Sequence, residues 1–109
     1  MVNWNSLDSE DKLTELINES YTEPIVIFKH STSCPISSIA KMRLDQDFKG
    51  DAKMFYLDLL AYRNISNKIA DTFMINHQSP QVLVIKDGDC IYDESHLNIQ
   101  AEALKSELV

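Results

Sequence analysis

Glycine and proline are scarce in this chain, at two and three residues among 109. Flexible linkers and low-complexity tracts depend on them, so residues 1–109 read as one domain with a modest single core. Basic charge is short as well. Ten Lys and Arg stand against 17 Asp and Glu, for a formal net charge of −7. That balance argues against nucleic acid, whose binding depends on cations displacing counterions, and against an anionic membrane surface. No apolar run approaches the roughly 18 residues of a spanning helix. Met1-Val2-Asn3-Trp4-Asn5 lacks the basic-then-apolar layout of a secretion signal.

Cysteine is equally sparse. Cys34 and Cys90 do not make the disulfide framework of a small secreted domain. A reducing cytoplasm is the expected location. The three histidines and two cysteines are not grouped in the close pairs of a zinc site, and His77 and His96 carry no interpretable spacing. No metal is expected. A glycine-rich phosphate loop, a serine-nucleophile elbow and an HExxH helix are all missing.

What is present is a regular succession of elements. Asp8 is placed to cap a first helix opening on Ser9-Glu10-Asp11, with Leu13, Leu16 and Ile17 inward and Pro24 closing the segment. Ile25-Val26-Ile27-Phe28 is a β-branched apolar run typical of strands covered on both faces. A second helix is predicted from Pro35 to about Lys49, with Ile36, Ile39, Ala40, Leu44 and Phe48 on one side and Gly50 as its stop. Met54-Phe55-Tyr56-Leu57 forms the next strand. Asn64 or Ser66 caps a third helix carrying Ile65, Ile69 and Phe73. Val82-Leu83-Val84-Ile85 is a third strand, and Asp87-Gly88 a two-residue hairpin signal leading to a fourth near Cys90 to Asp93. A last helix, capped by Asn98, turns Ala101, Leu104 and Leu108 inward. The order αβαβαββα implies an α/β fold: a four-stranded mixed sheet, parallel in its β-α-β unit and antiparallel at the final hairpin, with helices on both faces. Trp4 is assigned to core or helix docking.

Chemistry concentrates at Cys34-Pro35-Ile36-Ser37. Proline suits the first helical position, so Cys34 falls at the N-cap, where free amide hydrogens and the positive helix end favour thiolate over thiol. The rim at the carboxyl end of a sheet is also where α/β folds place their sites. Ser37 stands where a dithiol site would carry its second cysteine. Its hydroxyl or amide is expected either to point back at the Cys34 sulfur or to serve as a plain first-turn serine. Without a second thiol, no internal disulfide can expel a bound partner, and an outside thiolate must attack.

Pro80, in Gln78-Ser79-Pro80-Gln81, admits two readings. It is either an ordinary proline at a strand start or a cis Ser79–Pro80 bond facing Cys34 and exposing Ser79 backbone groups to a substrate. Cys90 pairs near Ile85 if Asp87-Gly88 is the turn, roughly 16 Å along the strand from Pro80. A disulfide tolerates Cα atoms only up to about 7 Å apart, so Cys90 is read as a packed strand residue. His30, four residues before Cys34, is expected to be a solvated strand-end histidine, with modulation of the thiolate as the sharper alternative.

Lys29-His30-Ser31-Thr32-Ser33-Cys34-Pro35-Ile36-Ser37, with His77-Gln78-Ser79-Pro80-Gln81 before the third strand, resembles the monothiol bacilliredoxins of the thioredoxin-like superfamily. The resemblance implies a cytoplasmic thiol–disulfide oxidoreductase that removes bacillithiol from mixed disulfides on client proteins. Cys34 is then the nucleophile, Ser37 replaces the resolving cysteine, and Pro80 matches the superfamily's cis-proline. Pro35, Ser37, Ser79 and Pro80 are the expected thiolate-stabilising or substrate-binding residues, with His30 as a modulator. No permanently bound cofactor is implied. Bacillithiol enters as the low-molecular-weight thiol co-substrate, and a recycling reductase as a further partner. The rivals are a redox sensor or adaptor that accepts a thiol cap without turnover, a thioredoxin-like binding domain with an incidental cysteine, and a monothiol glutaredoxin. The last is disfavoured because its CGFS motif differs from the sequence at Pro35-Ile36.

Overall fold

The apolar run that begins at Ile25 lies in the middle of a five-stranded sheet. The computed structural model describes residues 2–48 and 52–108. In chain order they form β1 (Trp4–Ser6), α1 (Glu10–Glu19), β2 (Ile25–His30), α2 (Pro35–Asp47), β3 (Lys53–Asp58), α3 (Arg63–Phe73), β4 (Gln81–Lys86), β5 (Asp89–Ser95) and α4 (Ala101–Ser106). A short 3-10 turn, His96–Asn98, precedes α4. The spatial order is β1-β3-β2-β4-β5. β1 and β2 flank β3 in parallel, whereas β4 runs antiparallel to both β2 and β5.

β1 makes the sheet five-stranded where four strands were expected. Its three residues carry no apolar alternation, so local pattern gives no strand signal. Tertiary pairing supplies it: Trp4, Asn5 and Ser6 align with Met54, Phe55 and Tyr56. Leu7, fully buried, anchors its end by donating its N–H to the Tyr56 carbonyl at 2.8 Å.

Every residue of β2 is buried, and alternation divides them between two cores. Ile25 and Ile27 join Leu13, Leu16, Ile65 and Ile69 beneath α1 and α3. Val26 and Phe28 join Ala40, Leu44, Ile99 and Leu104 beneath α2 and α4. The same alternation sends Lys29 to the first face and His30 to the second, so the apolar strand ends with one polar side chain on each side.

The helix starts differ from the pattern-based expectation. Ser9, not Asp8, caps α1 by accepting the Lys12 N–H at 3.1 Å, while Asp8 pairs with the Lys12 ammonium at 3.0 Å. Tyr62 occupies the cap position of α3 in place of Asn64 or Ser66, and Ser66 is fully buried. Gln100 replaces Asn98 before α4, because Asn98 belongs to the 3-10 turn. α2 is rotated by about one residue relative to the predicted stripe. It buries Ser37, Ala40 and Leu44, and Phe48 just beyond it, but leaves Ile36 and Ile39 about 40% exposed. A hydroxyl at position 37 takes the inward place because it has buried partners, described below. The stop expected at Gly50 lies outside the described residues.

Asp87 and Gly88 both have positive φ, 53° and 81°, which is the two-residue hairpin turn that matches strand twist. That register places Cys90 opposite Ile85, with an irregularity between Val84 and Ile85.

Candidate active site

Cys34 follows directly from the way β2 ends. After His30 the chain turns through Ser31–Ser33, and the Cys34 N–H donates to the Ser31 carbonyl at 3.1 Å. Cys34 then has extended geometry (φ −103°, ψ 117°) at the N-cap, with Pro35 in the first turn of α2. Its carbonyl accepts the Ser38 N–H at 3.1 Å, the first bond of the helix. The Cys34 side chain does not itself cap the helix, and the residue is half-buried. Its sulfur is therefore positioned by backbone geometry.

Ser37 does not point its hydroxyl at that sulfur. The side chain is fully buried, and Oγ accepts the Ser31 N–H at 3.0 Å and lies 2.6 Å from His30 Nδ1. A hydroxyl has one hydrogen to give. With the Ser31 N–H on one acceptor site, Oγ and Nδ1 share a single hydrogen, given either by the hydroxyl to a bare Nδ1 or by an Nδ1–H to the second lone pair of Oγ. The first turn of α2 is thereby bolted to the end of β2.

His30 is not solvated, contrary to the expectation for a strand-end histidine. It is 5% exposed, stacked on Phe28 (centroids 5.8 Å apart) and tilted against Tyr56 (5.3 Å). Burial, reinforced by the nearby Lys41 ammonium, lowers its pKa from the usual 6.5, and Asp58 and Ser37 only partly oppose this. A neutral ring bonded to Ser37 is no ion-pair partner for a thiolate. Lys41 itself bonds Asp45 at 2.9 Å and lies over the Trp4 and Tyr56 rings. Trp4 docks on α2 by donating its indole N–H to Asp45 at 2.8 Å.

Beside the end of β2 lies the segment before β4. The Ser79–Pro80 bond is cis. Because Lys29 pairs with Gln81, Pro80 opens β4 at the same end of the sheet where β2 closes with His30. Pro80 is buried, its carbonyl accepts the His96 N–H at 3.0 Å, and the Ser79 hydroxyl is buried without a partner among the described residues.

Sequence reasoning missed what holds this segment. Lys29 is fully buried, and its ammonium donates to the Ser66 carbonyl at 3.2 Å and to His77 Nδ1 at 3.3 Å. Ser66 Oγ also lies 3.2 Å from His77 Nδ1. Gln81, equally buried, donates to the Asn76 carbonyl at 3.1 Å and accepts the Gln78 N–H at 3.4 Å. Only a polar pair closing an otherwise apolar strand hinted at Lys29; its partners lie 37 and 48 positions away.

Cys90 packs against the α1/α3 core, and its thiol donates to the Tyr92 carbonyl at 3.3 Å. Burial pushes its pKa above the ordinary thiol value. Both cysteines are free thiols. Among the described residues, no three His, Cys, Asp or Glu side chains gather as metal ligands, and no helix is long and apolar enough to cross a membrane.

Known proteins share the fold that carries this geometry. The family model described as "Monothiol bacilliredoxin BrxC" matches residues 5–104. The chain belongs to that family. Monothiol bacilliredoxins are thiol–disulfide oxidoreductases, and the match spans every strand and helix except the ends of β1 and α4. A thioredoxin-fold protein provisionally described as an oxidoreductase superimposes with TM-score 0.82 at 27% identity, covering 94% of this bacilliredoxin and 91% of that chain. Thioredoxin of Fasciola hepatica gives TM-score 0.69 at 18% identity, covering 95% of each chain. The reduced thioredoxin pre-protein of Schistosoma mansoni gives 0.73 at 19%, covering 99% and 100%. Likeness at those lower identities speaks for the fold alone.

Two outcomes follow for this bacilliredoxin. Ser37→Ala strands the Ser31 N–H and His30 Nδ1 without their buried partner, so urea unfolding should show a loss of about 1–3 kcal/mol. The second concerns acid. An unfolded histidine takes up a proton near pH 6.5, whereas buried His30 and half-buried His77 resist until lower pH, so protonation favours unfolding. Stability should be fully present above pH 6.5 and fall as pH drops through the lowered folded values. His30→Phe should remove its share of that fall, read as a shallower dependence of Tm on pH between about 7 and 5.

Proposed function

We propose that this bacilliredoxin removes bacillithiol from mixed disulfides on oxidised proteins, in the cytoplasm. The observation that carries the reading is the commitment of position 37. Its side chain is a hydroxyl already bound to His30 and Ser31, so Cys34 has no second sulfur beside it on α2. Cys90, on β5 and opposite Ile85, is packed and poorly ionised.

The Cys34 thiolate attacks the bacillithiol sulfur of the mixed disulfide. A Cys34–bacillithiol bond forms, the old disulfide breaks, and the client sulfur leaves as a thiolate that takes a proton from water. No net oxidation occurs in that step; one disulfide replaces another. Free bacillithiol then attacks the bacillithiol sulfur on Cys34, giving bacillithiol disulfide and restoring the Cys34 thiolate. A reductase partner returns the two electrons that the disulfide needs. Pro35 sets the helix start that presents Cys34, and Ser79 and cis-Pro80 provide the facing wall for the client. Ser37 acts through its bonds to His30 and Ser31 and not by contact with the thiolate.

Intact-protein mass spectrometry after treatment with a bacillithiolated protein tests this reading. One bacillithiol adduct on Cys34, released catalytically by excess bacillithiol, is the expected result. A single stoichiometric transfer without recycling would make the chain an adaptor. An adduct on Cys90, or a Cys34–Cys90 crosslink, would overturn the single-thiol mechanism.

A further inference from the structure

Lys29 is the most unusual group the exchange chemistry leaves unused. It is a lysine with no exposed surface at the end of the central strand, and no carboxylate pairs with it among the described residues. Burying an unpaired ammonium is unfavourable, and a long apolar residue would fill the same space at lower cost. Its position suggests what the charge is for. Lys29 and Gln81 are register partners on β2 and β4, and they share the face that carries Ile27 and Leu83. From there both reach the same short segment. Lys29 bonds His77, and Gln81 bonds the backbone on either side of it, at Asn76 and Gln78. Cis-Pro80 follows immediately.

We propose that Lys29 is a positioning residue for thiol exchange: its buried ammonium ties His77 to Ser66 of α3 and so sets the 77–80 segment against which a mixed disulfide docks. The proposal rests on the function proposed above and adds the group that shapes the docking wall. An ammonium is a donor only, so His77 must accept through Nδ1 and stay neutral. Burial, the Lys29 charge and Arg63 all act in that direction. The other groups facing Lys29 are Ser66 on α3, Leu57 across on β3 and Gln81 on β4, the last bonded to Asp93 of β5 at 3.4 Å. None supplies a compensating negative charge directly.

Burial lowers Lys29 to about 8 from the usual 10.5. The tie is therefore charge-assisted at neutral pH; as pH rises past about 8 the amine keeps two N–H donors but its bonds to Ser66 and His77 lose the charge that strengthens them. Because the unfolded lysine keeps its proton to near 10.5, the buried charge also destabilises the fold at neutral pH, and that penalty fades between about 8 and 10.5.

Lys29→Met tests this, with His77→Ala as a second route to the same break. Lys29→Met should raise the urea midpoint at pH 7, which shows that the variant folds. Its KM for a bacillithiolated protein should nevertheless rise about tenfold, with kcat and the rate of Cys34 alkylation by iodoacetamide within about twofold of wild type. In wild type KM should climb above pH 8, and in Lys29→Met it should stay level there. His77→Ala should raise KM similarly. Hydrogen exchange of amides 77–79, faster in Lys29→Met, reads the tie whether or not the chain acts on mixed disulfides. Unchanged exchange, or unchanged KM, overturns the proposal. Equal losses in KM, kcat and alkylation also overturn it, since they would mark a general structural role. Faster exchange in a protein that turns over no bacillithiolated client leaves the tie standing and removes the proposed substrate and, with it, the positioning role.

Discussion

The Ser37 hydroxyl is the interaction on which the site depends. It accepts the first free N–H after β2 and shares a hydrogen bond with the last side chain of that strand. Those two bonds determine where the first turn of α2 sits, and the first turn determines where Cys34 sits. In a dithiol site that position would hold a second sulfur. Here it holds a group that bridges strand and helix, so the missing reactivity and the local architecture have one cause. The rotation of α2, which exposes Ile36 and Ile39, is a consequence of the same inward-facing serine.

β2 delivers both halves of the site. Pleating puts His30 on the α2/α4 side, where it holds the thiol-bearing turn, and Lys29 on the α1/α3 side, where it holds the segment before cis-Pro80. Neither polar group is exposed, and each has its partners within hydrogen-bond reach. Buried polar groups of this kind add rigidity at some expense in stability. A reaction in which sulfur must meet sulfur in line gains from walls that do not move, so the arrangement suits exchange better than it suits a maximally stable fold.

Much of this was legible from residue order. The apolar runs at Ile25 and Val82, the Asp87-Gly88 turn and Pro35 after Cys34 each act through neighbours a few positions away, and each defined its element. The register that set Cys90 against Ile85 followed from the turn alone. What escaped was non-local. β1 exists only because β3 offers an open edge, and the helix caps depended on choosing among adjacent polar residues. His30 was misread as solvated because a histidine after an apolar run looks the same whether a helix covers it or not. Lys29 escaped for the same reason: its partners on α3 and in the His77 segment are joined to it only by the fold.

The account turns on the bond between Ser37 and His30, and nitrogen-resolved NMR of the His30 ring reads it directly. With the reduced protein and with bacillithiol capping Cys34, the ring should be neutral and keep one tautomer in both states. A ring whose tautomer or charge changes when Cys34 is capped would mean that Ser37 turns to the sulfur during exchange. That result would contradict the separation of strut from nucleophile.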